Sequence, residues 1–208
     1  SLSDLVTEAD IVLSILVPAE AIGVAESVAG ALGATGVDTP FADCNAISPQ
    51  SARVIDGIIG RAGGRFIDGS IIGPPPGRGA PTRVYVSGAD AGMMTELDGK
   101  GIDVRNLGGA VGRASGIKMC YAALPKGTSA LYTAVLTAAE LLGLSAELRA
   151  EFAGSQTQAY EALESQVTGL PAKAFRWIGE MEEIASTFDQ AGATPHIHRG
   201  AGDVFRLL

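Results

Sequence analysis

Residues 104–124 read VRNLGGAVGRASGIKMCYAAL, and this stretch separates two halves of the chain that differ in pattern. It contains the end of an apolar strand, a glycine-rich turn at 108–112, and the start of a helix that carries Lys118. Strand and helix patterns alternate before it, whereas only helical periods follow it. Because α/β enzymes tend to bind ligands where a strand, a turn and a helix meet, we expect the functional site here.

The first half of the chain predicts five strands separated mostly by helices. Short apolar runs at 11–18, 41–45, 65–72, 83–86 and 102–107 predict the strands, and helical periods at 19–32, 48–62 and 89–97 lie between them. The run at 11–18, IVLSILVP, is typical of a parallel strand buried on both faces. This alternation predicts an α/β fold with a doubly wound, mostly parallel sheet.

The second half predicts helices alone. Helical periods cover about 115–142, 145–152, 156–167 and 171–191, with a short helical turn at 201–207. Pro125 interrupts the first of them, which leaves either one kinked helix or two shorter ones. We therefore predict two domains, an α/β domain at 1–112 and an all-helical domain at 113–208.

The composition of the 208 residues restricts the classes of function. A net charge of −8 argues against sequence-independent binding of nucleic acid, which needs a basic surface. The longest apolar run, near 11–17, is too short to span a bilayer, and no secretory signal is recognisable, so we expect a cytoplasmic protein that does not bind membranes. Cys44 and Cys120 are expected to be buried, reduced thiols.

Four segments in order resemble those of one enzyme superfamily: ADIVLSILVP at 9–18, FADCNAISP at 41–49, FIDGSIIGPPP at 66–76 and GRASGIKMCYAAL at 112–124. The chain resembles the β-hydroxyacid dehydrogenases and the related 6-phosphogluconate dehydrogenases. KMCYAALPKG at 118–127 and WIGEMEEIASTF at 177–188 resemble the branch that has its own C-terminal helical domain. The resemblance implies that 1–112 is a truncated, Rossmann-type NAD(P)-binding domain.

The superfamily begins with a strand, a G-x-G-x-x-G turn and a helix that bind the dinucleotide, and this unit has no counterpart here. We expect the chain to be part of a longer protein; the alternative is a natural chain that has lost cofactor binding. The turn GGAVG at 108–112 is not that fingerprint, because its spacing differs and no βαβ unit follows it.

Lys118 corresponds to the catalytic lysine of the superfamily, since it follows Gly112 by six residues as in the motif G-x-G-x-x-x-K, with Ala114 in place of the second glycine. Such a lysine removes the hydroxyl proton as hydride leaves for the nicotinamide, which requires that burial or a neighbouring charge lower its pKa. The alternative is a surface lysine near the domain junction.

The resemblance also implies substrate contacts by Ser70, Gly73, Tyr121 and Asn45. Asp68 and Gly73 match the segment D-A-P-V-S-G-G, but Ile72 replaces its serine, and Ser70 on the same strand face could supply the hydroxyl. Tyr121 takes the place of a family histidine, and the alternative is a core aromatic residue. These departures favour a substrate that differs from the ordinary hydroxy acids.

The cofactor, NADP or NAD, is expected to contact Asn45 and the segment Leu16, Val17 and Pro18, which matches the one that packs along it. Asn45 follows a strand and could bind nicotinamide or substrate; the alternative is an Asx-turn residue that caps the next helix. Without the resemblance, 16–18 is simply the end of a strand.

Three other features are not assigned to a site. Lys126 could reach an anionic substrate but is more typical of a turn beside Gly127. His196 and His198, in a tail expected to be irregular, lack a carboxylate at zinc-ligand spacing. Four residues share a face of the last long helix that is expected to be solvated: Arg176, Glu180, Glu183 and Thr187.

These observations favour an NAD(P)-dependent oxidoreductase that acts on a small hydroxy acid or a related alcohol or carbonyl compound, with Lys118 as general acid and base. The alternative is a cofactor-free binding or scaffold protein, which predicts a closed sheet edge where the first strands would lie. An imine reductase of the same superfamily is disfavoured because those enzymes generally lack the lysine. Apolar stripes on the helical domain predict a homodimer.

Overall fold

The computed structural model describes residues 1–208, apart from the side chains of residues 163 and 166. The first compact unit, Ser1–Cys120, contains five strands and three complete helices, and the second unit is Tyr121–Leu208. In chain order the elements are α1 Leu2–Glu8, β1 Val12–Ser14, α2 Ala21–Thr35, β2 Phe41–Asp43, α3 Pro49–Arg61, β3 Phe66–Ile72, β4 Thr82–Ser87, β5 Ile102–Asn106, α4 Arg113–Leu141, α5 Ser145–Ser155, α6 Thr157–Val167, α7 Pro171–Gln190 and α8 His196–Arg206. Short 3₁₀ helices lie at Pro18–Glu20 and Ala91–Leu97.

The five strands form one sheet in the order β1-β2-β3-β4-β5. Strands β1, β2 and β3 are parallel to one another, and so are β4 and β5, whereas β3 and β4 are antiparallel. No helix separates β3 from β4; the proline- and glycine-rich segment 73–81 joins them. The predicted α/β fold with a mostly parallel sheet and a helical C-terminal part is confirmed.

Local sequence signals determine several helix ends. Ser1 and Asp4 form a capping box at the start of α1. The Ser48 hydroxyl accepts a hydrogen bond from the Ser51 N–H, and Pro49 occupies the first turn of α3. Gly36, with a φ of 72°, ends α2 in the left-handed conformation. These helices pack their apolar faces together around Leu32, Phe41, Ile55 and Ile59.

The prediction that 11–18 is a buried strand is wrong in part. Only 12–14 form a strand, and because β1 is the first strand of the sheet, β2 is its one partner strand among the described residues. Leu13 is 41% exposed and Ile15 is 60% exposed. An apolar run thus predicted a strand correctly, but it did not reveal an edge position.

In the second unit, Pro125 lies inside α4 without ending it, so the single-helix alternative holds. The histidines do not lie in an irregular tail, because α8 begins at His196. Helices α7 and α8 pack together, with Trp177 meeting Phe205 edge-on at a ring-centroid distance of 5.4 Å. Apolar packing therefore orders the C-terminal segment.

The α7 face expected to be solvated is partly covered. Thr187 is buried, and the Glu180 carboxylate lies 2.9 Å from the Lys126 ammonium in a largely buried ion pair. The same ammonium lies 5.1 Å from the centre of the Trp177 ring, in a cation–π contact. Lys126 thus links α4 to α7.

Cys44 is buried as expected, but Cys120 is exposed, which corrects the expectation of two buried thiols. Burial raises the pKa of the Cys44 thiol to about 12. Cys44 is therefore an inert core residue at neutral pH. In the part of the chain that the structure describes, no helix is both long enough and apolar enough to cross a membrane.

Candidate functional site

A buried carboxylate, Asp68 on β3, organises the start of α4. Asp68 is 1% exposed, and its Oδ2 accepts hydrogen bonds from the backbone N–H groups of Gly112 at 2.8 Å, Ala114 at 3.0 Å and Ser115 at 3.2 Å. The Ser87 hydroxyl donates to the same oxygen, and the Ser115 hydroxyl donates to Oδ1. This carboxylate satisfies N–H groups that a helix leaves unpaired in its first turn.

Lys118 lies one turn further along α4. Its side chain is half-buried, and its ammonium donates a hydrogen bond of 2.8 Å to the carbonyl oxygen of Ile71. Ile71 is the penultimate residue of β3, so the amine lies at the carboxyl end of that strand. Parallel α/β sheets use this edge to bind ligands.

Ser70 immediately precedes the residue that Lys118 contacts. Its side chain is fully buried, and its hydroxyl has no hydrogen-bond partner among the described residues. An unpaired buried hydroxyl carries a desolvation penalty, and such groups in native proteins often mark functional sites. Ser70 and Lys118 therefore converge on the same short segment of β3.

The side-chain amide of Asn45 is hydrogen-bonded to other residues of the protein. It is 2% exposed, and its amide nitrogen donates to the Ser14 hydroxyl at 2.9 Å and to the Asp43 carboxylate at 2.7 Å. Its amide oxygen accepts a hydrogen bond from the backbone N–H of Leu16. These bonds join the carboxyl ends of β1 and β2. The Asx turn is formed by Asp43, which accepts from the Asn45 N–H, and Ser48 caps α3 instead of Asn45.

Asp43 is the second buried carboxylate of this edge. It is paired in register with Ser14 on β1 and with Asp68 on β3. Burial raises the pKa of Asp43, while its hydrogen bonds with Asn45 and Ser14 oppose this shift. Ser14, Asp43 and Asp68 therefore form one buried polar row across β1–β3, at the carboxyl ends of β1 and β2 and within β3.

The predicted cofactor segment is exposed. Leu16 and Val17 are 47% and 49% exposed, and half-buried Pro18 starts the 3₁₀ helix that leads into α2. Two adjacent apolar side chains at the carboxyl end of a parallel strand offer a surface on which a flat, apolar ring could pack. The structure thus places this segment beside Asn45, to which Leu16 is hydrogen-bonded.

Gly73 lies at a bend of the backbone after β3, and Tyr121 is exposed on α4. Gly73 follows β3 with a φ of 121°, and a Cβ there would lie 3.1 Å from the carbonyl oxygen of Pro81. This position needs glycine for the backbone, whatever its role in binding. Tyr121 is 54% exposed and belongs to the second compact unit, so it is not a core aromatic residue.

Sequence reasoning brought out Lys118 and Ser70 but missed the role of Asp68, Ser87 and Ser115. Two signals pointed to Asp68. An acidic residue in the apolar run FIDGSII needs partners when it is buried. In addition, α4 follows Gly112, which has no side chain with which to cap a helix. Among the described residues, no three His, Cys, Asp or Glu side chains come together as ligands for a metal ion.

Comparison with known proteins gives two matches of sequence. A domain of unknown function, DUF1932, matches residues 139–208. An uncharacterized 28.5 kDa protein in the 7S RNA 5′ region of Methanothermus fervidus is 30% identical over 145 residues, which are 70% of this chain and 54% of that protein. The chain thus spans about half the length of this curated relative.

Solved structures show the same fold over the whole chain. The conserved protein MTH1747, of unknown function and described as structurally similar to 3-hydroxyacid dehydrogenases, is 29% identical with a TM-score of 0.67, covering 100% of this chain and 80% of that one. The 3-hydroxyisobutyrate dehydrogenase of Mycobacterium tuberculosis is 19% identical with a TM-score of 0.69, covering 100% of this chain and 76% of that one. The second likeness shows the fold alone.

These matches agree with the four sequence segments and with the sheet that they form. The resemblance to the β-hydroxyacid dehydrogenase superfamily is confirmed: the chain has the 3-hydroxyacid dehydrogenase fold, and its C-terminal third carries the DUF1932 domain.

Proposed function

We propose that this chain forms part of an NAD(P)-dependent oxidoreductase that acts on a small hydroxy acid or a related alcohol or carbonyl compound, with Lys118 as general acid and base. The position of Lys118 carries this proposal. Its amine is half-buried at the carboxyl end of β3 and bonded to the Ile71 carbonyl. A lysine held in this way is oriented before a substrate arrives.

The nicotinamide would accept or return hydride when it is bound. Leu16 and Val17 fit such a cofactor, because they are exposed apolar residues at the carboxyl end of β1. Asn45 would act through Leu16, whose backbone it holds, since both ends of its own amide already have partners within the protein. Lys118 would take the hydroxyl proton of an alcohol or return it to a carbonyl compound.

The proposed substrate class rests on two polar groups, the Lys118 ammonium at the Ile71 carbonyl and the Ser70 hydroxyl one residue earlier on β3. The ammonium would attract an anionic substrate or a developing alkoxide, and the Ser70 hydroxyl is available for a further hydrogen bond once a ligand or a small movement opens access to it. With Ile72 where the superfamily has serine, one polar contact to the substrate carboxylate is lost. We therefore propose a substrate less acidic than a simple hydroxy acid.

Nucleotide binding and turnover test this proposal. NADH and NADPH fluorescence titrations come first, followed by a panel of small hydroxy acids, alcohols and carbonyl compounds. We expect Lys118→Ala to lower kcat by about 100-fold or more, because general acid–base groups contribute about that much. Nucleotide affinity should change little, since no cofactor contact is assigned to this side chain.

Lys118→Arg is the matched control. Arginine keeps the positive charge and a hydrogen-bond donor but cannot release a proton near neutral pH, so it should bind substrate and remain nearly inactive. Full activity in either variant would refute the role of Lys118. Failure to bind either nucleotide would refute the oxidoreductase and leave the cofactor-free binding protein.

We also propose that the protein is a homodimer that pairs through the second unit. Large apolar side chains of that unit are exposed by two thirds or more: Leu124, Leu131, Leu141, Leu142, Phe175, Ile197 and Leu207. Exposed apolar residues in this number are characteristic of an interface rather than of a free surface.

A further inference from the structure

We propose that Asp68 is a positioning residue for Lys118: its buried carboxylate fixes the first turn of α4 and thereby holds the amine at the carboxyl end of β3. The importance of this for turnover rests on the proposed function of Lys118. The positioning itself rests only on contacts within the first compact unit and can be measured without any substrate.

The carboxylate replaces the cap that α4 does not have. Gly112, just before the helix, adopts a φ of 102° and offers no side-chain acceptor. Three backbone N–H groups, of Gly112, Ala114 and Ser115, converge instead on a single oxygen of Asp68. The Ser87 hydroxyl, which donates to this oxygen, also accepts from the Ala114 N–H at 3.1 Å. A negative charge at this end of a helix is favourable because the helix dipole is positive there.

Lys118 lies close enough to the first turn of α4 for its position to depend on the hydrogen bonds of Asp68. Ile71 lies three positions after Asp68 along β3, a rise of about 10 Å. Lys118 lies three positions after Ser115 along α4, a rise of about 4.5 Å, on the same side of the helix. The long stem of the lysine reaches the Ile71 carbonyl, to which its ammonium donates at 2.8 Å. A shift of the first turn would therefore displace the amine from this carbonyl.

Replacing Asp68 with asparagine tests the charge while nearly preserving the shape. An asparagine keeps one acceptor oxygen, which can take the place of Oδ2, but it is neutral, and its NH₂ group would replace Oδ1 opposite the Ser115 hydroxyl. Because bonds to a charged acceptor are stronger, we expect the hydrogen bonds of the first turn of α4 to weaken and Lys118 to leave the Ile71 carbonyl more often.

Asp43→Asn is the matched control. Asp43 is equally buried, lies on the neighbouring strand and is paired in register with Asp68, but among the described residues its hydrogen bonds are with Asn45 and Ser14 and not with α4. A general loss of stability should therefore appear in both variants, whereas a loss of positioning should appear only in Asp68→Asn.

The readout is the reactivity of individual lysines. The chain has four, at positions 100, 118, 126 and 173, so competitive acetylation with acetic anhydride followed by peptide mass spectrometry resolves each one. Labelling between about pH 7 and about pH 10 gives a pH profile for each amine. Lys100, which is exposed and lies in the same unit, serves as the internal reference.

In the wild-type protein we expect the profile of Lys118 to differ from that of Lys100. In Asp68→Asn, its labelling rate should shift by about threefold or more toward that of Lys100, as expected for a locally released side chain. Ser115→Ala removes only one bond to Asp68 and should shift the rate in the same direction by less. This milder variant keeps the test valid if Asp68→Asn does not fold.

Three results would overturn the proposal: a wild-type Lys118 that already labels like Lys100, an unchanged Lys118 profile in folded variants that lack an Asp68 contact, or the same shift in Asp43→Asn. None of these measurements involves a nucleotide or a substrate. The positioning role can therefore fail while the proposed oxidoreductase stands, and it can hold while the oxidoreductase fails.

Discussion

Gly69 lies where β2 and β3 approach each other closely. A Cβ built on Gly69 would lie 2.7 Å from the Cys44 sulfur and 2.9 Å from the carbonyl oxygen of Asp43. The sulfur could turn aside, but the carbonyl belongs to the backbone of the neighbouring strand. The residue next to Asp68 is thus small because the sheet leaves no room for a side chain.

We expect Gly69→Ala to destabilise the protein by about 1–3 kcal/mol, the usual cost of forcing an extra carbon into a packed interior. Gly30→Ala is the control, since Gly30 lies inside α2 with no atom within 4 Å of its Cβ position. That change should stabilise the helix by about 0.5–1 kcal/mol. Chemical denaturation measures both, and equal effects of the two changes would contradict the close approach.

Lys118 and Asn45 show what the sequence reveals about single residues. The sequence predicted Lys118 on a helix that follows the glycine turn, and it lies on α4; its catalytic role stays a prediction. Asn45 was predicted as a ligand of nicotinamide or substrate, and that role stays a prediction; its internal bonds to Ser14, Asp43 and Leu16 depend on which strands are neighbours. Asp68 was matched to the superfamily segment, but its role in anchoring α4 was missed for the same reason, since the N–H groups that it binds lie more than forty residues away.

At the scale of elements, the hairpin of α7 and α8 buries a histidine. His198 is 6% exposed, its ring centre lies 4.2 Å from that of Phe188, and its Nδ1 has no hydrogen-bond partner among the described residues. Burial lowers the pKa of His198. The folded hairpin therefore favours the neutral ring.

We expect the free energy of unfolding to fall as the pH drops below about 6.5, the ordinary pKa of histidine. Below that value the unfolded chain binds a proton that the folded hairpin resists, so stability is full above it and decreases toward the lower pKa of the folded state. Urea titrations at a series of pH values measure this dependence.

His198→Leu should flatten the dependence on pH between about 7 and about 5, because it removes the titrating group. His196→Leu is the control, since His196 is exposed at the start of the same helix. If the slope disappeared with His196 and remained without His198, the assignment to the buried ring would be wrong.

The elements themselves were largely predictable. Alternation of apolar runs and helical periods located all five strands and the main helices, since burial imposes these periods on the sequence. The antiparallel direction of β4 and the edge position of β1 were not predicted, because periodicity within one segment does not specify its neighbours. Only the second half of the helix at 196–206 was predicted, as a turn at 201–207; its first half was missed because its glycine, histidines and adjacent proline resemble a loop.

At the scale of the whole molecule, pairing of two copies is the proposal most readily measured. A stable interface buries about 1,200 Å² or more in total. Leu131 and Phe175 are 67% and 70% exposed, so each can contribute to such a contact.

We expect sedimentation to show a dimer at micromolar concentration and Leu131→Glu to shift it toward monomer, because a charge in an apolar interface is left without a partner. Leu5→Glu on α1 is the control, since this exposed leucine belongs to the first unit. It should leave the oligomeric state unchanged. A wild-type monomer at that concentration would refute the proposed pairing.

One side of β1 has no β-strand partner among the described residues, and Leu13 and Ile15 are exposed there. The backbone N–H and C=O groups on that side can therefore pair with a further strand, whether it comes from the same protein or from a partner. The sheet can be extended at β1 without any change in the pairing of the five strands.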